Sequence, residues 1–192
     1  MNPRLLSISI PEWVDHVVSE FAAELPSAEE QMNLAIRLSL ENVERGGSPF
    51  GAAVFAGPRL MAAGVNCVLA TGLSIAHAEI VTLMRAQTRL AQDHLAPLGP
   101  YTLVTSAEPC CQCFGALIWS GVSGVICGAA TPDVEAVGFD EGPKPQPWGE
   151  ALARHGIWLQ EGVCRDEARA VLNLYSARGG PIYGRRQQSL VE

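Results

Sequence analysis

The chain has 192 residues, a formal net charge of −7 and 48% hydrophobic residues. This length suits one domain whose core buries about 70% of the surface of the unfolded chain. Only 17% of the residues are charged and nearly half are hydrophobic, which excludes a disordered protein. No apolar run approaches the roughly 20 residues of a membrane-spanning helix, so we expect no membrane span. Phosphate binding needs clustered Lys and Arg, but the chain has 13 of these against 20 Asp and Glu, so we expect a small partner and no nucleic acid.

The six cysteines are distributed unevenly along the sequence. Three fall close together at 110, 111 and 113, whereas Cys67, Cys127 and Cys164 are scattered through apolar segments. A disulfide framework would not show this spacing, and the N-terminus lacks the apolar region of a signal peptide. We therefore expect a cytoplasmic protein in which the clustered thiols bind metal and the isolated ones pack in the interior.

Hydrophobic periodicity predicts helices and strands that alternate along the chain. The first helix opens with Ser27 and Glu30 in the pattern of a capping box, and Gly57-Pro58 turns the first two strands into a hairpin. Helices are predicted over 28–45, 76–91, 111–119 and 165–177, with a short one near 148–155. Strands are predicted over 50–55, 60–65, 101–105, 122–127 and 157–160. This alternation favours an α/β sandwich whose sheet is covered on both faces.

Two short motifs have the spacing of a metal site. Cys110 and Cys113, three positions apart in the first turn of a helix, can both reach one ion, and His77 is the natural third ligand. Three protein ligands leave a position open for the water of a catalytic zinc. Cys111 is the candidate for a fourth ligand, but a helix turns it by about 100° from its neighbour. Glu79 is placed to take a proton from bound water without being a ligand.

The same residues also have plain structural interpretations. An isolated Cys-x-x-Cys occurs in redox pairs and in cores, although His77-Ala-Glu79 upstream favours the metal site. Asn66 could cap a turn, Phe50 could belong to the core, and Asp140-Glu141 could be a solvated loop. The remaining histidines, His16, His94 and His155, are expected at the surface.

His77-Ala-Glu79 followed by Pro109-Cys110-x-x-Cys113 is the signature of zinc nucleobase deaminases. Beyond it, the chain resembles bacterial guanine deaminases of the cytidine-deaminase fold, in a branch that also accepts the triazine ammeline. The segments that carry this resemblance are 48–51, 64–66, 105–110, 114–122 and 137–143.

The resemblance implies a three-layer α/β/α sandwich around a mixed five-stranded sheet. It implies a homodimer with one Zn²⁺ per chain that deaminates guanine to xanthine and ammonia, with side activity on ammeline. Residues 1–26 would form an N-terminal extension, 27–178 the catalytic domain, and 179–192 a C-terminal tail that closes over the pocket or crosses to a partner subunit. The plain alternative for this segment is a frayed basic tail.

The resemblance also implies a role for each site residue. His77, Cys110 and Cys113 would bind zinc, with His77 also bordering the substrate, and zinc-bound hydroxide would attack the amino-bearing carbon while Glu79 shuttles the proton. Phe50 would stack on the purine, and Asn66 would form a hydrogen bond to it. Glu141 would hold the purine edge and assist the release of ammonia, with Asp140 as its substitute. Tyr183 would be a lid residue.

Two alternative functions stay open at this point. The first is deamination of another amino heterocycle: ammeline, cytosine, or adenosine in transfer RNA, the last disfavoured by the acidic balance. The second is a non-catalytic binding module stabilised by zinc, in which Cys111 or another group closes the fourth position. Glu79 argues against the module, because a structural site has no use for a carboxylate beside it.

Overall fold

The computed structural model describes residues 8–184, so residues 1–7 of the predicted extension and 185–192 of the predicted tail lie outside the described residues. The helices are α1 (Trp13–Ser19), α2 (Ala28–Glu44), α3 (Val68–Thr71), α4 (Ala78–Leu90), α5 (Cys111–Ser120), α6 (Thr131–Ala136), α7 (Trp148–Ala153) and α8 (Arg165–Ala177). The strands are β1 (Gly51–Ala56), β2 (Arg59–Val65), β3 (Thr102–Ala107), β4 (Gly124–Ala129) and β5 (Trp158–Gln160), and a 3₁₀ turn covers Ala96–Leu98.

Five strands form a mixed sheet in the order β2-β1-β3-β4-β5. β1 runs antiparallel to β2 and β3, whereas β3, β4 and β5 run parallel. In this register Ala52, near the start of β1, lies opposite Gly64, near the end of β2, and Thr105, near the end of β3. The segments before β1, after β2 and after β3 therefore meet at one edge, where open α/β sheets bind their ligands.

Alternate strand residues pack against opposite layers of helices. Ala52 and Val54 belong to a core with residues of α4, α5 and α7. Ala53 and Phe55 belong to a second core with residues of α1 and α2, and a third cluster joins α6 and α8 to the end of β4. The predicted α/β/α sandwich with a mixed five-stranded sheet is thereby confirmed.

The capping box predicted at the start of α2 is present. Ser27 Oγ accepts a hydrogen bond from the Glu30 N–H at 3.2 Å, and the Glu30 carboxylate accepts one from the Ser27 N–H at 2.9 Å. Both bonds satisfy N–H groups that have no partner inside the helix, so this helix begins where the sequence predicts.

The periodicity does not predict α1, α3 and α6, which have four to seven residues each. Such short helices offer too few turns for a repeating apolar pattern, and one of them lies in the predicted extension 1–26. β4 spans Gly124–Ala129 and not 122–127, because Gly121 ends α5 in the left-handed region and Ser123 donates to the Tyr101 carbonyl. Within residues 8–184, each helix is too short or too polar to cross a membrane.

Candidate active site

Three metal-ligating side chains meet where two helices begin. His77 lies at the N-cap of α4, Cys110 at the N-cap of α5, and Cys113 in the first turn of α5. His77 Nδ1 lies 3.4 Å from Cys110 Sγ and 3.6 Å from Cys113 Sγ. The three donor atoms lie within 4.8 Å of one another, so they could hold one metal ion together.

The start of α5 favours negative charge on one of its thiols, that of Cys110, whereas the hydrogen bond to Cys110 raises the pKa of Cys113. The backbone N–H groups of the first turn have no partner inside the helix, and the positive end of the helix dipole lies beside them. A hydrogen bond from Cys113, together with the neighbouring His77, lowers the pKa of Cys110 to about 4. Cys110 is therefore a thiolate at neutral pH, which is the form that binds metal.

Glu79, in the first turn of α4, lies beside this cluster. Its side chain is buried, lines the pocket and lies within hydrogen-bond reach of Cys113. Burial, followed by the nearby Cys110 thiolate, raises the pKa of Glu79. A carboxyl group whose pKa is raised towards neutrality can take up a proton and return it, as an acid–base catalyst must.

The loop between α6 and α7 brings two adjacent carboxylates to the pocket in opposite environments. Asp140 is exposed, and its Oδ1 accepts a hydrogen bond from the Gly142 N–H at 2.9 Å. Glu141 is only 6% exposed, and its Oε2 has no hydrogen-bond partner in the described part of the chain. Burial, with the charges of Cys110 and Glu79, raises the pKa of Glu141 to about 8.

Asn66 follows the last residue of β2 and both caps a turn and lines the pocket. Its Oδ1 accepts a hydrogen bond from the Val68 N–H at 3.0 Å, and its backbone carbonyl accepts one from Asn42 at 3.0 Å. These bonds fix the side chain at the sheet edge. Since Oδ1 is engaged in the turn, Nδ2 is the atom that this amide can offer to a ligand.

Aromatic rings form one wall of the pocket. Phe139 lies at the centre, with ring centroids 5.0 Å from Phe50 and 5.4 Å from Tyr183, both in edge-to-face geometry. Behind it, Tyr175 stacks on Phe139 at 5.8 Å. Burial raises the pKa of Tyr183, whose ring places the segment after α8 against the pocket. The arrangement offers flat apolar surfaces to a planar ligand.

The pocket brings together residues that are distant in the sequence. Its lining comprises Phe50, Asn66, His77, Glu79, Glu108, Cys110, Phe139, Asp140, Glu141, Tyr183 and Gly184. Every residue that the sequence proposed for substrate contact is among them, and Cys113 lies buried beside Cys110. Sequence reasoning assigned no site role to three lining residues, Glu108, Phe139 and Gly184. The available signal was that Glu108 and Phe139 fall in the segments 105–110 and 137–143 that carry the resemblance, and that Gly184 follows Tyr183.

The remaining cysteines and histidines lie apart from the donor cluster. Cys111 donates its backbone N–H to the Glu141 carbonyl at 2.9 Å and is not one of the clustered ligands. Cys67 and Cys127 are buried, and Cys164 is partly buried. The exposed histidines are His16, His94 and His155.

The donor set fits zinc. Two thiols and one imidazole are ligands that Zn²⁺ prefers, and three protein ligands match a catalytic rather than a closed structural site. The pocket borders His77 and Cys110, so a fourth ligand could approach the ion from there. The buried carboxyl of Glu79 adjoins the same space, which a purely structural zinc would not need.

Comparison with known proteins agrees with this geometry. The family described as "Cytidine and deoxycytidylate deaminase zinc-binding region" matches residues 26–129. The solved structure of a guanine deaminase from Nitrosomonas europaea is 42% identical, with a TM-score of 0.87 over 92% of this chain and 98% of that chain.

Two further matches cover different lengths of the chain. A solved structure of a mutant protein in complex with 8-azaguanine is 42% identical, with a TM-score of 0.87 over 93% of this chain and 98% of that chain. A guanine deaminase from Bacillus subtilis is 34% identical over 108 residues, which is 56% of this chain and 67% of that protein.

Proposed function

Because the chain belongs to the cytidine and deoxycytidylate deaminase zinc-binding family, we propose that it hydrolyses guanine to xanthine and ammonia. The relatives that are guanine deaminases, and the one that holds 8-azaguanine, support this choice of base. Ammeline is proposed as a second substrate, because it shares with guanine an amino-bearing ring carbon flanked by ring nitrogens.

The observation that carries the proposal is the unpaired carboxylate oxygen of Glu141. A buried polar atom without a partner costs about 1–3 kcal/mol, so its presence in a pocket indicates a ligand that supplies the partner. Guanine has adjacent N–H donors, on N1 and on the 2-amino group, that a carboxylate can accept. Cytosine and adenine lack this pair of donors beside the amino-bearing carbon, so they would leave Glu141 less well satisfied.

The residues divide the chemistry between them. Zinc held by His77, Cys110 and Cys113 would supply a Lewis acid that activates water. Glu79 would remove the proton from the attacking water and deliver it to a ring nitrogen of the base. Addition of the water oxygen to C2 would open the C2=N3 double bond, and N3 would keep the proton that Glu79 delivers. The bond from C2 to the amino nitrogen would then break as the hydroxyl on C2 loses its own proton and becomes the carbonyl of xanthine. Glu141, with its pKa of about 8, would give a proton to the departing amino group and recover one from the C2 hydroxyl, so that ammonia leaves and the carboxyl group returns to its starting state.

Other pocket residues would orient the base without taking part in proton transfer. Phe50 and Phe139 would contact its flat face, and Tyr183 would close the pocket from the C-terminal side. Asn66 would donate a hydrogen bond from Nδ2 to an acceptor on the ring. Such positioning of substrate against catalytic groups contributes much of the rate of an enzyme reaction.

An assay of ammonia release with identification of xanthine tests the function directly. The wild-type protein should release ammonia from guanine faster than from cytosine or adenine.

Glu79→Gln should keep about one zinc per chain and lose at least about 100-fold in kcat, because the amide cannot shuttle the proton. Failure of the wild-type protein to produce xanthine would refute the substrate, and near-normal turnover by Glu79→Gln would refute the mechanism.

A further inference from the structure

Lys144 is the one lysine of the sequence, and its side chain is only 3% exposed. Its Nζ donates a hydrogen bond to Thr131 Oγ1 at 2.8 Å and lies 3.5 Å from Glu108 Oε2. It also lies 5.0 Å from the centroid of the Trp148 ring, a cation–π distance. The ammonium group is thus surrounded by partners next to the pocket.

These contacts join three segments that build the site. Lys144 belongs to the loop that carries Glu141, Thr131 begins α6, and Glu108 immediately precedes Pro109 and the ligand Cys110. Thr131 Oγ1 itself donates to Glu108 Oε2 at 2.6 Å, which closes the network. One ammonium group therefore ties the Glu141 loop to the loop that bears the metal ligand.

The Glu141 loop has a second attachment on its other side. The Glu141 carbonyl accepts the Cys111 N–H at 2.9 Å, at the start of α5. Gly142, in the left-handed region, packs so closely there that an added Cβ would come within 2.5 Å of Cys111 Sγ. With one attachment at Glu141 itself and one at Lys144, the loop segment between them has little freedom to move.

Burying an ammonium group is expensive, and a buried ion pair is weak evidence of stabilisation. An apolar side chain packed against Trp148 would fill the same space without desolvating a charge. The cost of desolvating this ammonium group is explained if the directional hydrogen bonds of Lys144 fix the geometry of the loop.

We propose that Lys144 is a positioning residue that holds the Glu141 carboxylate in the pocket by bonding its loop to Glu108 and Thr131. The proposal rests on the proposed function for its kinetic consequences. Its structural consequence, an ordered Glu141 loop, does not depend on which substrate is used.

The first experiment compares Lys144→Met with the wild-type protein in hydrogen exchange and in guanine turnover. Exchange should accelerate in peptides that cover 108–113 and 138–147, because the loop loses one of its two attachments. The value of kcat/KM should fall by about 100-fold, as for a misplaced catalytic group. Lys144→Arg, which keeps a cation donor, should recover part of both losses, and Thr131→Val should show smaller losses in the same direction.

Arg165→Met is the matched control. Arg165, at the start of α8, forms an ion pair at 2.8 Å with Asp133 of α6, the helix that Thr131 begins, and its hydrogen bonds among the described residues go to Asp133 and not to the loop. It should leave loop exchange and kcat/KM unchanged. A double-mutant cycle adds the decisive readout: Lys144→Met should cost almost nothing in a Glu141→Gln background, because Glu141 is the group through which Lys144 acts.

Unchanged loop exchange in both Lys144→Met and Thr131→Val, or an undiminished cost of Lys144→Met in the Glu141→Gln background, would overturn the proposal. An equal effect of Arg165→Met would overturn it as well, because the loss would then reflect general destabilisation. If the wild-type protein does not deaminate guanine, the proposed function fails, whereas the exchange measurements still decide whether Lys144 holds the loop.

Discussion

Asp140 and Glu141 show how one position in a loop changes the chemistry of a carboxylate. Asp140 is solvated and uses Oδ1 to stabilise its own turn, so its charge is already satisfied. Glu141 points into the protein, where burial and neighbouring negative charge raise its pKa to about 8. Groups with such a shift at a pocket are candidates for proton transfer, since their protonation state changes near neutral pH.

Glu141→Gln and Asp140→Asn form a matched pair of variants that separates these roles. Glu141→Gln should lower kcat/KM for guanine by about 100-fold or more, because the amide keeps only one acceptor oxygen and cannot give up a proton. The loss of kcat/KM caused by Asp140→Asn should be at least about tenfold smaller than the loss caused by Glu141→Gln. Steady-state kinetics of both purified variants decides the question, and a larger loss for Asp140→Asn would transfer the role to that residue.

At the level of elements, the site depends on how closely α2 packs on β1. Gly51, the first residue of β1, lies directly under α2, and an added Cβ would come within 2.5 Å of the Ala35 carbonyl and 2.7 Å of the Ser39 nitrogen. Its N–H also donates to Ser106 Oγ at 3.1 Å, which links β1 to the end of β3. This close approach holds Phe50, the preceding residue, at the pocket.

Gly51→Ala should therefore destabilise the fold by about 1–3 kcal/mol, because the obstructing atoms are backbone and cannot move aside. Gly115→Ala is its control: it lies within helix α5 with nothing within 4 Å of an added Cβ, and should stabilise by about 1 kcal/mol. Urea unfolding of the two variants measures the difference. Equal stability of the two would show that β1 can shift away from α2 without cost.

The clustering of the two thiols could be predicted from sequence because helix geometry relates spacing to direction. Cys110 and Cys113 lie within one helical turn, so their side chains lie on the same side of the helix whatever the rest of the fold is. No such rule applies to Glu108, Phe139 or Lys144, whose partners come from remote segments brought together by loops. The long helices were likewise predicted by periodicity, whereas α6 depends on local bonds such as that from the Ala130 N–H to Asp133.

For the molecule as a whole, the net charge of −7 gives a phosphate-bearing ligand no general attraction. Among the described residues, the lining includes four carboxylates, Glu79, Glu108, Asp140 and Glu141, and no Lys or Arg. Lys144 lies behind this surface with its ammonium group already bonded. A phosphate approaching the pocket would meet the exposed carboxylate of Asp140 on a chain of net negative charge, which raises the cost of binding nucleotides and polynucleotides.

Guanine, guanosine and guanosine monophosphate should therefore be deaminated with decreasing kcat/KM, and an RNA hairpin that presents an unpaired adenosine should not be deaminated. The step from guanosine to the monophosphate isolates charge from size, and we expect it to cost at least about tenfold at low salt. Added salt should shrink that step while leaving the rate on neutral guanine nearly unchanged, because screening acts only on charged partners. Equal rates on the nucleoside and its monophosphate would mean that the acidic lining does not select the substrate, and deamination of the hairpin would favour a polynucleotide as the natural one.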